Sequence, residues 1–158
     1  VLGDDAVHSG FDTLIARAKA ARPDAKIEGI TVSEMVPSGV EAVIGFVNDP
    51  VFGPVVMFGL GGIFVEVLQD VSFRLAPFGK SEARRMIDEI RGRAVLDGVR
   101  GQPAVNIDLL ADALSRLSAF GVRNVATLES VDINPLILTA DAAYAVDGLI
   151  VPRVSAAI

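Results

Sequence analysis

Two carboxylates and an amide set around one turn are the residues of this chain with the clearest chemistry. Asp132 and Asn134 alternate along one apolar segment, and Asp147 follows Thr139-Ala140-Asp141-Ala142, a stretch suited to a turn. If the chain folds back between Ala140 and Asp141, Asn134 falls directly across from Asp147. Opposite residues on antiparallel strands have Cβ atoms about 5 Å apart. Asp132 shares their face because side chains alternate with a period of two. Hard oxygen ligands of this kind suit Mg²⁺, which takes one or two carboxylates and completes its octahedron with water and substrate phosphates. A solvated hairpin face would carry polar residues too, but Asp and Asn are depleted in strand interiors, and three facing positions call for a reason. Pro135 within the same segment predicts an edge strand or a bulge.

Other residues could serve such a site. Phe58-Gly59-Leu60-Gly61-Gly62 is a glycine-rich turn after an apolar run. Bare backbone at Gly59, Gly61 and Gly62 would let a ligand approach and offer N–H groups to phosphate. The Gly-Lys-Ser/Thr ending of a Walker A loop is absent, and an unliganded tight turn would have the same sequence. Arg74, between Phe73 and Leu75, projects opposite to them and suits either charge neutralisation on a phosphoryl group or a surface ion pair. Glu34 and Glu41 flank Pro37-Ser38-Gly39 and could bond an amino group or sugar hydroxyls, or be ordinary strand carboxylates. His8 is the only histidine and lacks a nucleophile-elbow partner, so a Ser-His-Asp hydrolase is set aside.

These residues sit in a chain of 158 residues that is 51% hydrophobic with a net charge of −6. That composition can bury one core, and the absence of a basic cluster excludes a nucleic-acid footprint. With no cysteine, thiolate metal sites, disulfides and cysteine catalysis are excluded. The most apolar stretch, residues 50–65, is broken by glycines and is shorter than the roughly 20 residues of a spanning helix. No secretory signal is visible in the sequence, and a cytoplasmic protein without membrane partners fits best.

The elements that must position the site follow from periodicity. Phe11, Leu14, Ile15 and Ala18 predict a helix over residues 9–21 with Ser9 as N-cap. Residues 27–36 and 40–47 predict a hairpin about Pro37-Ser38-Gly39, followed by short strands at 55–58, 63–67 and 71–75. Helices are expected from Ser81, with Ala83, Met86, Ile87 and Ile90 inward, and after Asn106 as cap, ending at Gly121 as the C′ residue. Residues 94–96 can add a short helical turn. Strands at 125–128, 131–138 and 144–151 close the chain. Hairpins interrupted by helices indicate an α+β fold, mainly an antiparallel sheet with flanking helices, in a single domain over residues 1–158.

Five segments together resemble one family: Glu34-Met35-Val36-Pro37-Ser38-Gly39-Val40-Glu41, the run from Asp49-Pro50 to Gly61-Gly62, Phe73-Arg74-Leu75-Ala76-Pro77, Gly98-Val99-Arg100-Gly101, and Val131-Asp132-Ile133-Asn134-Pro135-Leu136. The family is the ATP-grasp module of ADP-forming (NDP-forming) acyl-CoA synthetases, relatives of succinyl-CoA synthetase β subunits. The resemblance implies reversible phosphoryl transfer that couples ATP/ADP and Mg²⁺ to acyl-CoA formation through an acyl phosphate and a phosphohistidine. It implies a hinge at Glu34, Met35 and Val36 holding adenine, Glu41 near the ribose, and Asn134 and Asp147 on magnesium with Asp132 as an accompanying acid. Arg74 and the backbone of Gly59, Gly61 and Gly62 would lie nearby.

The family's lid, with its phosphate-gripping lysine and histidine-bearing loop, has no counterpart in the sequence, and His8 does not take the phosphohistidine role. The expected object is therefore the C-terminal subdomain of the module. It would be inactive alone and would work with CoA-binding and ligase domains or subunits, an oligomer being compatible. The resemblance leaves open a regulatory module fused to a protein acetyltransferase, or a structural assembly domain.

Overall fold

The computed structural model describes residues 3–62, 67–99, 101 and 103–153. Its contacts group the chain into two units, Val1–Met35 and Val36–Ile158. In the first unit, helix α1 (Asp4–Ala21) starts with Asp4 and Asp5, whose charges complement the helix dipole. It begins upstream of the expected cap. Ser9 lies inside the helix, its carbonyl accepting a hydrogen bond from the Thr13 hydroxyl at 2.8 Å. None of the residues of α1 is buried, and His8 is exposed.

The strand expected over residues 27–36 is absent, and residues 25–39 have no regular structure. The expected hairpin fails for a topological reason. Strand β1 (Val40–Asp49) has both edges occupied, by β2 (Gly53–Leu60) and by β4 (Leu128–Leu138), and no edge is left for an upstream partner. The strand expected over 63–67 falls almost wholly outside the described residues.

In the second unit the sheet runs β3 (Val71–Leu75), β2, β1, β4, β5 (Ala143–Ala145), with β6 (Gly148–Pro152) also paired to β4. Every pairing is antiparallel. Helices α2 (Lys80–Asp88) and α3 (Ile107–Arg123), with a 3-10 turn at Arg91–Asp97, supply one layer. Alternation assigns Ala42, Ile44 and Phe46 of β1 and Val56, Phe58 and Leu60 of β2 to the helix face. There they form one core with Ala83, Met86 and Ile87 of α2 and Leu110, Leu114 and Leu117 of α3. Asn106 caps α3 as expected, its Oδ1 accepting from the N–H groups of Asp108 and Leu109 at 3.0 and 3.2 Å.

Gly121 does not end α3. It lies within the helix where a Cβ would sit 2.0 Å from Cε2 of Phe46, so its glycine serves close packing of helix on sheet. Asn124 is the C-cap, its side-chain amide donating to the Phe120 carbonyl at 2.8 Å. Among the described residues no helix is long and apolar enough to cross a membrane.

Candidate functional site

The hairpin register expected from the turn is the one observed. Leu136 faces Ala145, Ile133 faces Gly148 and Asp132 faces Leu149. The Asn134 N–H donates to the Asp147 carbonyl at 3.1 Å. The strand expected over 144–151 is interrupted at Val146–Asp147, between β5 and β6. Opposite this break the β1–β4 register shifts: Ala42 pairs Leu136 but Ile44 pairs Ile133, so Asn134 and Pro135 together face Val43. That is a bulge with Pro135 in it, and the N–H that proline lacks is missing where the ladder is already irregular.

Pairing across the strands defines the two faces of the sheet row by row. Phe73, Met57, Gly45, Asp132 and Leu149 form one row of the face away from the helices. Val71, Gly59, Val43, the Asn134 bulge and Asp147 form the next. Beyond it lies Glu41, whose carbonyl accepts from the Gly61 N–H at 2.7 Å. A Cβ at Gly61 would meet Cβ of Glu41 at 2.9 Å, so this close approach needs glycine. Gly62, at φ 59, lies just past the end of β2 in a conformation that favours glycine. The open face thus gathers Glu41, Gly59, Asp132, Asn134 and Asp147, with Gly61 and Gly62 at its end.

Asp132, Asn134, Asp147 and Glu41 are all exposed. Asp147 Oδ1 accepts from the Gly148 N–H at 2.8 Å, which orients the carboxylate. Among the described residues no three His, Cys, Asp or Glu side chains converge as a metal cage. Two carboxylates and one amide nonetheless match what Mg²⁺ asks of a protein when substrate phosphates complete its shell.

Arg74 is not brought to this face. It stands in the row Arg74, Val56, Phe46, Val131 on the helix side. Its Nε donates to Glu82 at 2.8 Å, and its Nη2 bonds Glu89. The hydrogen bonds it donates to Glu89 and Glu82 hold its pKa above the ordinary arginine value. Of the two chemistries its sequence position allowed, the geometry is that of the ion pair. Glu34 and Met35 lie in the irregular segment of the first unit and are exposed, and Val36 opens the second unit.

Periodicity could have found the rest of the open face. Glu41, Val43, Gly45 and Val47 alternate with Ala42, Ile44 and Phe46, but only the long-range pairing of β1 with β4 sets them beside Asp132 and Asn134.

The β subunit of ADP-forming acetate–CoA ligase I from Pyrococcus furiosus is 42% identical over 147 residues, covering 93% of this chain and 63% of the relative. The chain therefore spans less than two thirds of that protein. A structure of the dinucleotide-forming acetyl-coenzyme A synthetase 1 of Candidatus Korarchaeum cryptofilum, with coenzyme A, acetyl-coenzyme A and a phosphorylated phosphohistidine segment, superposes with a TM-score of 0.88. It is 42% identical, with 97% of this chain and 68% of that one covered. A second structure of the same enzyme, with coenzyme A and Mg-AMPPCP, gives a TM-score of 0.71 at 45% identity, covering 76% of this chain and 56% of that one. The family model for the ATP-grasp domain matches residues 1–151, and the chain belongs to the ATP-grasp family.

Proposed function

We propose that this chain provides the magnesium-binding part of the nucleotide site in an ADP-forming acyl-CoA synthetase, a cytoplasmic enzyme converting acid, CoA and ATP to acyl-CoA, ADP and phosphate. The observation that carries the reading is the pairing of Asn134 with Asp147 at a bulge on the open face, in the row that also contains Gly59. Asn134 and Asp147, with Asp132 two residues before, would hold the ion. Bound there, magnesium would neutralise phosphate charge, which is most of what phosphoryl transfer asks of a protein besides positioning. Glu41, one row on, is placed for ribose hydroxyls, and Gly59 within β2, with Gly61 and Gly62 at its end, leaves room for a ligand to approach the backbone because no side chains stand there. Glu34, Met35 and Val36 would hold the base as a hinge. Arg74 takes a different role in this reading: it ties α2 to β3 and does not touch phosphate. CoA-binding and ligase domains or subunits complete the enzyme. The relatives carry ligase and synthetase names, which favours catalysis over a regulatory or scaffold role.

The test is calorimetric binding of Mg-ADP to the full-length protein with Asn134→Ala or Asp147→Ala. Each variant weakens binding by roughly 10–100-fold, the range seen when support for a metal site is removed. Wild-type affinity in both variants would refute the assignment.

A further inference from the structure

The turn that closes the hairpin bearing Asn134 and Asp147 is built around one side chain. In an ordinary β-turn the carbonyl of the first residue accepts from the N–H of the fourth. In Thr139-Ala140-Asp141-Ala142 the Thr139 hydroxyl takes that place. Its Oγ1 accepts from the Ala142 N–H at 3.0 Å and the Asp141 N–H at 3.3 Å, and donates to the Ala142 carbonyl at 3.2 Å. Serine and threonine hydroxyls stand in for backbone groups in turns of this kind. The Thr139 N–H also donates to the Ala142 carbonyl, at 2.9 Å. The Thr139 carbonyl is thereby released from the turn, and it accepts from the N–H of Asn106, the N-cap of α3, at 3.0 Å. One threonine closes the turn with its side chain and ties it to the helix layer with its backbone.

The stretch between this turn and Asp147 has little of its own to fix it. β5 is three residues long and lies at the end of the sheet order, paired to β4. Ala143 is half-buried, while Tyr144 and Ala145 are exposed. Burial of two alanines does little to specify register, so the turn must set it. After β5 the ladder is interrupted at Val146–Asp147, and β6 holds the chain from Gly148 onward. Asp147 is therefore placed from one side by β6 and from the other by β5 and its turn. A slip of one residue in that stretch would carry the Asp147 side chain to the opposite face.

We propose that Thr139 is a positioning residue of the metal site, acting roughly 17 Å along β4 from Asn134: its hydroxyl closes the turn while its carbonyl holds α3, and the two together keep Asp147 opposite Asn134. The inference rests on the magnesium reading given above. Without the hydroxyl, one carbonyl faces two donors, the Ala142 N–H and the Asn106 N–H. If it closes the turn the hairpin parts from α3, and if it keeps α3 the turn opens. In both cases β5 loses its fixed end.

The experiment compares Thr139→Val, which keeps the branched shape without the hydroxyl, with Thr139→Ser, which keeps the hydroxyl. Calorimetry on the full-length protein measures ADP affinity with magnesium and with a chelator, and thermal unfolding is followed alongside. Thr139→Val lowers the gain in ADP affinity that magnesium brings by about 10-fold, the lower end of the range for groups that support metal ligands. Its metal-free ADP affinity stays at the wild-type level, and Thr139→Ser restores the gain. Asp70→Ala is the control for lost stability, since Asp70 bonds Arg91 and Gly92 and lies outside the hairpin. It keeps the gain. A wild-type gain in Thr139→Val overturns the proposal. So does an equal loss of affinity with and without magnesium, a loss of the gain in Asp70→Ala, or a serine variant no better than valine. Failure of the magnesium reading itself is read separately, by Asn134→Ala and Asp147→Ala keeping Mg-ADP affinity.

Discussion

Gly121→Ala is expected to destabilise the protein, although the same exchange inside an ordinary helix stabilises it. The added carbon would sit 2.0 Å from Phe46 Cε2, 2.2 Å from Cδ2 and 2.6 Å from Cζ. Carbon atoms pack best at about 3.5–4.0 Å, so helix or ring must give by roughly 1.5 Å. Phe46 is 2% exposed within the core shared by β1, β2, α2 and α3, and it has no solvent to retreat into. Overpacking by one carbon costs about 1–3 kcal/mol. The helix-propensity gain from glycine to alanine offsets about 1 kcal/mol of that. A displacement this large lies at the upper end, so the net loss is about 2 kcal/mol, a fall in Tm of roughly 4–8 °C at this chain length. Urea unfolding followed by circular dichroism measures it. Phe46→Leu in the same chain shortens the side chain that collides, so the double variant recovers about 1–2 kcal/mol relative to the sum of the singles. A Gly121→Ala protein more stable than wild type by about 1 kcal/mol would refute the packing argument, because that is what helix propensity alone delivers.

Two further outcomes follow from the layer beneath the sheet. Asp70, 6% exposed, accepts from the N–H groups of Arg91 at 2.8 Å and Gly92 at 2.7 Å, pinning the 3-10 turn to the start of β3. Asp70→Ala leaves both donors unpaired and costs roughly 3 kcal/mol by chemical denaturation, with Asp70→Asn recovering part of it. Glu82 has its pKa lowered from the ordinary 4.5 by hydrogen bonds from Arg74 first and Arg85 second. A depressed carboxylate contributes stability that is fully present above its ordinary value and is lost as pH falls through the folded value. Arg74→Met therefore flattens the acid limb of stability against pH while leaving Mg-ADP affinity intact. An unchanged acid limb, or a loss of Mg-ADP binding, counts against the placement of Arg74 on the helix side.

The sequence made the local features legible and left the long-range ones hidden. The register of Asn134 against Asp147 follows from turn chemistry and a period of two, and both are local. Asn106 as a cap and Pro135 at a bulge follow from single-residue backbone preferences. Gly121 has the look of a C′ residue because it is a glycine after a helical stripe, and only the arrival of Phe46 from a strand 75 positions upstream in the sequence gives it another purpose. The segment over residues 27–36 has the composition of a strand, but a strand needs a vacant edge. Whether β1 has one depends on β4, about 90 residues further along. Alternation points Arg74 away from Phe73 and Leu75, as observed. Which of those two directions leads to the open face was set by the side on which α2 and α3 pack, and that lies beyond strand periodicity.

The bulge at Asn134 and Pro135 reconciles two demands on one strand. Asp132 and Asn134 face outward, and Val131 and Ile133 face the helices. In an unbroken strand the same alternation would carry Leu136 and Leu138 to the outward face. Both are buried in the core, at 3% and 1% exposure. Exposing each would cost about 1.5–3 kcal/mol. The extra residue opposite Val43 resets the parity, and β4 can present oxygen side chains outward before and within the bulge and leucines to the core on either side of it. Proline suits the position because the ladder there has already lost its regular partner. The break between β5 and β6 falls opposite, and it is there that Asp147 sits, its backbone carbonyl bound by Asn134 and its side chain oriented by Gly148. The irregularity of the hairpin and the clustering of its oxygen side chains therefore go together: a strand that turns Asp132 and Asn134 outward and Leu136 and Leu138 inward must change step between them.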